Sequence, residues 1–315
     1  ANILTRTLMI FGQGAIRCHP FAENEISALE NGDVKGFDYA FFGHIGHVVR
    51  NFSRSIVLSL TRGHAESVPV EGIMRRDFQK VAWASSRFAI LADVAMGSLG
   101  GDLKRKEVLT GRFSDVFSWM YLASATMRRY QEEGRTKEDH ALYRWSMDYA
   151  FAEMQKAFDG IYRNFDVPGL AWVFRGPLAF WNRMNPIGTG PRDSDGHTIA
   201  RIMQTPGELR DRLTNGLHLP QDAEEAMGRL EQAFLACVAA DEVLAKVKQG
   251  IRAKKLPRQK PMSLLQEALA AGVITQEEIE TVNRAEELRN DAIQVDSFSD
   301  EEYRATALDG GWEMA

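Results

Sequence analysis

The chain has 315 residues, 44% hydrophobic and 26% charged, with a formal net charge of −5, enough for one large domain or two modest ones around buried cores. Charges of both signs are interspersed, which excludes the concentrated basic field that a nucleic-acid partner demands. Two cysteines, Cys18 and Cys237, are too few and too far apart for a disulfide framework, no apolar run reaches the ~18 residues of a membrane span, and no signal-peptide pattern opens the chain. Reduced, buried thiols and a cytoplasmic setting are the expectation.

Residues 1–20, ANILTRTLMIFGQGAIRCHP, begin without Met or a capping residue, already inside a helical pattern in which Ile3, Leu4, Leu8, Phe11 and Ala15 share a stripe. Such a start is expected of an excised piece. Over residues 37–60 the apolar positions Phe41, Ile45, Val48, Phe52, Ile56 and Leu60 recur at helical intervals, with Arg50 and Arg54 opposite. A second helix over 73–99 carries the stripe Phe78, Val81, Ser85, Phe88, Ala92, Ala95 and Leu99. After Gly100-Gly101, Asp102 is expected to cap a third, with Leu109, Phe113, Val116, Met120, Ala123 and Met127 facing inward and an end before Gly134. Thr136 and Asp139 form a capping-box-like start to a fourth, reaching about residue 165. Long helices with short joints make a bundle, and no segment shows sustained alternation of β-branched residues, so the fold class is all-α.

Composition changes at Pro168. Residues 168–191 hold Trp172, Phe174, Phe180 and Trp181 with Arg175, Arg183 and several Gly and Pro, and DSDG at 193–196 reads as a loop. Shorter helices are expected around 197–214, 221–249, 263–271 and 275–293, with a polar, frayed end from about residue 296.

Several constellations invite a sharper reading. His44-Ile-Gly-His47 spells a nucleotide-binding signature, but that motif needs a strand-to-helix junction, and here it lies inside an amphipathic helix. As metal ligands the two histidines lack an acid at a helical neighbour, so polar packing between helices is expected and no metal site. Gly12-Gln13-Gly14 and the glycines between 97 and 101 lack a preceding strand or P-loop lysine and read as helix ends or crossings. Cys18 and His19 are adjacent on a helix and point apart, which argues against a nucleophilic pair. The stretch from Lys246 through Lys254, Lys255 and Lys260 is basic and free of acids, suiting either a solvated helix end or anionic lipid; Trp172, Phe174, Phe180 and Trp181 suit either a membrane interface or packing over the bundle.

Residues 2–20, NILTRTLMIFGQGAIRCHP, resemble the segment just after the active-site loop of bacterial long-chain acyl-coenzyme A dehydrogenases, and the likeness continues through 37–60, 93–129 and 285–298. The resemblance implies residues 1–19 as the helix following the catalytic Glu-Gly pair, 20–166 as the end of the dehydrogenase's helical bundle, and 167–315 as an additional C-terminal helical domain. It also implies oxidation of long-chain acyl-CoA to trans-2-enoyl-CoA in fatty-acid β-oxidation, with FAD as cofactor and a Glu lying just ahead of Ala1 as base, so that no catalytic residue falls within the chain. Ala1, Asn2 and Ile3 map onto the flavin-contacting positions; only Asn2 matches a common family residue, and Ala1 stands where relatives often carry Thr. The partners so implied are the acyl-CoA substrate, an electron-accepting flavoprotein and a second copy in a homodimer; the chemistry of Trp172, Phe174, Phe180 and Trp181 with Lys254 and Lys255 adds a peripheral membrane surface as an expected partner. The alternative is a free-standing helical interaction or membrane-docking module without catalysis.

Overall fold

The computed structural model describes residues 19–295 and 299–308. Among them there are helices and no strand, as the patterning predicts, and no helix is long and apolar enough to cross a membrane. The chain divides into two compact units, Ala1–Ile202 and Met203–Ala315. The boundary expected after residue 166 therefore falls inside the first unit. Val167, Phe174, Ala179 and Ile187 explain why: they are buried in the same core as the long helices.

The first unit begins with α1 (Ala22–Glu30) and α2 (Val34–Leu60), the latter capped by Asp33, whose carboxylate accepts from the Gly36 amide at 3.0 Å. The face of α2 expected to be core is largely open: Phe52 is 55% and Leu60 67% exposed, while Ala40, Ser55 and Leu58 are buried. The helix packs on α1 and α3 along this narrow line, and no described element covers its broad apolar stripe. Beyond α2 the chain turns at Gly63 (φ +83°), where a Cβ would stand 2.7 Å from the Gln79 carbonyl oxygen, so only glycine allows the close approach.

Helix α3 (Ile73–Leu99) is rotated from its expected orientation. Ala92 and Ala95 are buried as predicted, Phe78, Val81, Phe88 and Leu99 pack at the edge of the core, and Ser85 is exposed. Trp83, Ala84, Leu91 and the polar Asp77, Gln79, Ser86 and Arg87 are buried too. Asp102 does not cap the next helix; it pairs with Arg105 inside the 3-10 turn Gly100–Arg105, and α4 (Glu107–Glu132) starts after Lys106. All six residues expected on the inner face of α4 are buried, Phe113 and Val116 completely. The left-handed Gly134 (φ +85°) follows its end. In α5 (Lys137–Asn164) the Thr136 hydroxyl oxygen accepts from the Asp139 amide at 3.2 Å, the predicted cap.

The aromatic segment closes this bundle. It forms α6 (Ala171–Val173), a π-helical turn (Phe174–Leu178) that accommodates Pro177, and α7 (Ala179–Met184). Phe174, expected to serve a membrane surface, is 4% exposed and stacks on Phe165 with centroids 4.1 Å apart. Gly188 then passes so close to α5 that a Cβ would meet that of Phe151 at 2.5 Å. The DSDG segment is not a loop but the first turn of α8 (Asp193–Met203), where Asp193 and Asp195 complement the amino-terminal end of the helix dipole.

The second unit contains α9 (Glu208–Thr214), α10 (Ala226–Arg252), a 3-10 turn (Pro261–Leu264), α11 (Leu265–Ala270), α12 (Gln276–Ala292) and α13 (Asp300–Leu308). Helices α10 and α12 pack together, with Val247, Leu264, Ala268 and Val282 fully buried. A capping box fixes the start of α12: the Glu278 amide donates to Thr275 Oγ1 at 3.3 Å, and the Thr275 amide to Glu278 Oε2 at 2.8 Å. Cys237 is half-buried rather than buried, and Cys18 lies outside the described residues. In the basic stretch Lys246 pairs with Glu278, while Lys254 and Lys255 are exposed.

Candidate functional site

A cleft of about 370 Å³ in the first unit lies among α2, α3, the end of α5 and the aromatic segment. Phe52, Ile56, Leu91, Val94, Phe174 and Trp181 form apolar walls, and Arg87, Tyr162 and Asn182 supply polar groups. Arg87 is 3% exposed. Its guanidinium carbon lies 4.6 Å from the ring centroid of Trp83 and 5.0 Å from that of Phe158, and Nη1 donates to Asn182 Oδ1. Nη2 is buried without a hydrogen-bond partner. Burial pushes the Arg87 pKa down, against the opposing pull of Tyr162 and Asp159. A guanidinium nevertheless keeps its charge at neutral pH.

A chain of amides holds this arrangement. Asn182 Nδ2 donates to Asp159 Oδ1 at 2.6 Å, Gln155 Nε2 reaches the same oxygen at 3.3 Å, and the Ile187 amide donates to Gln155 Oε1 at 2.9 Å. The nearest acid is thus occupied by neutral donors. Burial, foremost, raises the pKa of Tyr162, so its hydroxyl stays protonated at neutral pH. The cleft can bind; it holds no carboxylate, imidazole or thiol with which to move a proton.

A second cleft, of about 460 Å³, is lined by His19, His44, Val48, Asp93 and Met96 among others. His44 Nδ1 lies 2.8 Å from Glu25 Oε1 on α1, His47 Nε2 lies 2.9 Å from Asn51 Nδ2, and the His19 ring centroid is 4.2 Å from that of His44. The Glu25–His44 contact joins α1 to α2, so the acid lacking on α2 comes from α1, whereas His47 and Asn51 are paired within α2. Burial, then the neighbouring His44, lowers the pKa of His19, with Asp93 pulling the other way. Among the described residues no group of three or more His, Cys, Asp or Glu is placed to hold a metal ion. A third, shallower cleft of about 400 Å³ carries Arg112, Lys156 and Arg163 around Gly160.

The bacterial-type family model "Acyl-CoA dehydrogenase, C-terminal" matches residues 16–298. The chain belongs to that family. No solved structure matches it. The all-α architecture is consistent with an acyl-CoA dehydrogenase C-terminal domain, and the family's parent enzymes are oxidoreductases acting on acyl-CoA.

A flavin dinucleotide fits none of the clefts described above in this acyl-CoA dehydrogenase domain. The apolar cleft offers one cation, already bonded to Asn182, where a pyrophosphate needs several donors; the histidine cleft has no Lys or Arg; the basic cleft has no aromatic or broad apolar wall for a tricyclic ring. Ala1, Asn2 and Ile3, the residues implied in flavin contact, lie outside the described residues, as do Gly12, Gln13 and Gly14. Of the four aromatics implied in membrane contact, Trp172 and Phe180 are 71% and 66% exposed, Trp181 is a cleft wall, and Phe174 is core. Arg87, Asn182 and Asp159 were not singled out from the sequence. A lone arginine within the largely apolar run 81–99 was the available clue.

Proposed function

We propose that this chain is the C-terminal part of an FAD-dependent dehydrogenase that oxidises long-chain acyl-CoA to trans-2-enoyl-CoA in fatty-acid β-oxidation and passes electrons to a flavoprotein. The match over residues 16–298 carries the reading, and the resemblance of residues 2–20 to the segment behind the active-site loop of long-chain enzymes supports the chain-length class. In this reading Ala1, Asn2 and Ile3 border the flavin, the rest of whose pocket belongs to other parts of the enzyme, and the base is the Glu of the preceding Glu-Gly pair. The helices described here back that region and add a helical domain, with a second copy of the chain as a partner in a homodimer.

The 315-residue chain by itself is therefore expected to show no turnover of palmitoyl-CoA with an artificial electron acceptor and to purify without a stoichiometric yellow cofactor. Measurable enoyl-CoA formation would overturn this assignment of the base.

We also propose that the domain rests on an anionic membrane at the cytoplasmic face, where a poorly soluble acyl chain is concentrated. Exposed Trp172 and Phe180 are residue types that insert at the interface, and the exposed Lys254 and Lys255 each add about 1 kcal/mol of attraction to anionic head groups. The chain should co-sediment with phosphatidylglycerol vesicles at low salt and release as salt rises, because head-group attraction decays within a Debye length of about 8 Å at physiological ionic strength. Trp172→Ala/Phe180→Ala and Lys254→Glu/Lys255→Glu should each reduce pelleting. Wild-type protein left in the supernatant at low salt would sink the idea.

A further inference from the structure

We propose that the apolar cleft beside Arg87 is a binding site for a free fatty acid, with Arg87 recognising its carboxylate. An apolar cavity by itself would accept any hydrocarbon; the buried cation makes this one selective. A guanidinium withdrawn from water is costly unless its donors and its charge are both met. Here the partners are neutral: one amide oxygen from Asn182 and two aromatic faces. Among the described residues no carboxylate forms an ion pair with Arg87; Asp159, whose charge reaches it only at a distance, is hydrogen-bonded to Asn182 and Gln155, and Nη2 has no hydrogen-bond partner although the residue is only 3% exposed.

A carboxylate supplies what this group lacks, an acceptor and one negative charge, and charge-assisted bonds of this kind are the strong ones. The chain attached to it would lie between Phe52, Ile56, Leu91 and Trp181. A single unpartnered guanidinium nitrogen, with its two N–H donors and one positive charge, suits a monoanion better than a doubly charged phosphate, and a thioester carbonyl carries no charge to recognise. A cleft of about 370 Å³ is within the range of ligand sites. The inference concerns this cleft alone and does not depend on the proposed reaction or on the location of its base.

The test is titration calorimetry of the 315-residue chain with decanoate, decanol, decyl phosphate and decanoyl-CoA. Decanoate should bind at one site, about tenfold to a hundredfold tighter than decanol, and tighter than decyl phosphate or decanoyl-CoA. Arg87→Met, which keeps the bulk of the stem, should lower decanoate to the affinity of decanol and leave decanol unchanged, whereas Ile56→Trp in the cleft wall should weaken both. Equal binding of decanoate and decanol to the wild-type protein, or undiminished decanoate binding to Arg87→Met, overturns the proposal, as does preference for the phosphate or the thioester. Should Arg87→Met fail to fold, the comparison of ligands on the wild-type chain and on Ile56→Trp decides the matter.

Discussion

Replacing Phe113 by Ala should destabilise the first unit by about 3–5 kcal/mol, the cost of deleting a buried phenyl ring and leaving a cavity. Phe113 is 0% exposed on α4 and meets Phe88 of α3 edge-to-face at a centroid distance of 6.1 Å. A loss of this size is a large fraction of the ~5–15 kcal/mol that holds a typical domain together. Phe88→Ala should cost less, about 1–3 kcal/mol, because that ring is only partly buried at the edge of the core. Urea unfolding followed by tryptophan fluorescence reports chiefly on the relevant transition, since five of the six tryptophans, Trp83, Trp119, Trp145, Trp172 and Trp181, belong to the first unit, and Trp312→Phe as the background removes the sixth. A near-neutral Phe113→Ala would mean that the packing of α3 against α4 is wrong.

The second large effect is expected at Asp77. Its carboxylate is 0% exposed and accepts from the Tyr143 hydroxyl at 2.7 Å and from Arg144 Nη1 at 3.1 and 3.2 Å, joining α3 to α5. Arg144 also reaches Asp148 at 2.7 Å, so removing Asp77 leaves it partly paired but strips the acceptor from Tyr143. Asp77→Ala should cost about 3–5 kcal/mol, as breaking a buried pair from one side does. Tyr143→Phe removes one bond and keeps the ring stacked on Tyr130 at 4.3 Å, and should cost about 1–2 kcal/mol. Both are read from the same unfolding midpoints, and equal losses for the two variants would remove Arg144 from the account. Tyr143 adds an independent sign of this network: burial first, then the Asp77 charge, raises its pKa far above the ordinary phenol value, so the hydroxyl remains a donor throughout the neutral range.

The fold class, the four long helices, the Thr136 cap, the end before Gly134 and the inner face of α4 are all legible in the residue pattern. Those features rest on local rules: a 3.6-residue period, a side chain that bonds its own helix start, and a glycine that accepts a left-handed turn. The inner face of α4 was legible because Leu109, Phe113, Val116, Met120, Ala123 and Met127 form one continuous apolar stripe, and a helix with one such stripe has one way to turn.

The remaining features depend on contacts between distant parts of the chain. On α3, apolar residues occur on more than one side, and the buried side includes Asp77, Gln79, Ser86 and Arg87, which periodicity assigns to solvent. Asp77 and Arg87 are inside because partners far along the chain meet them: Tyr143 and Arg144 for Asp77, and Asn182 for Arg87, 95 residues away. On α2 the stripe was correctly seen but its burial was not, because an apolar face reports affinity for a partner without saying which element supplies one. The aromatic segment shows the same limit. Four similar residues within 172–181 divide into core, cleft wall and surface: Phe174 opens the π-helical turn and stacks on Phe165, Trp181 lines the cleft, and Trp172 and Phe180 face solvent.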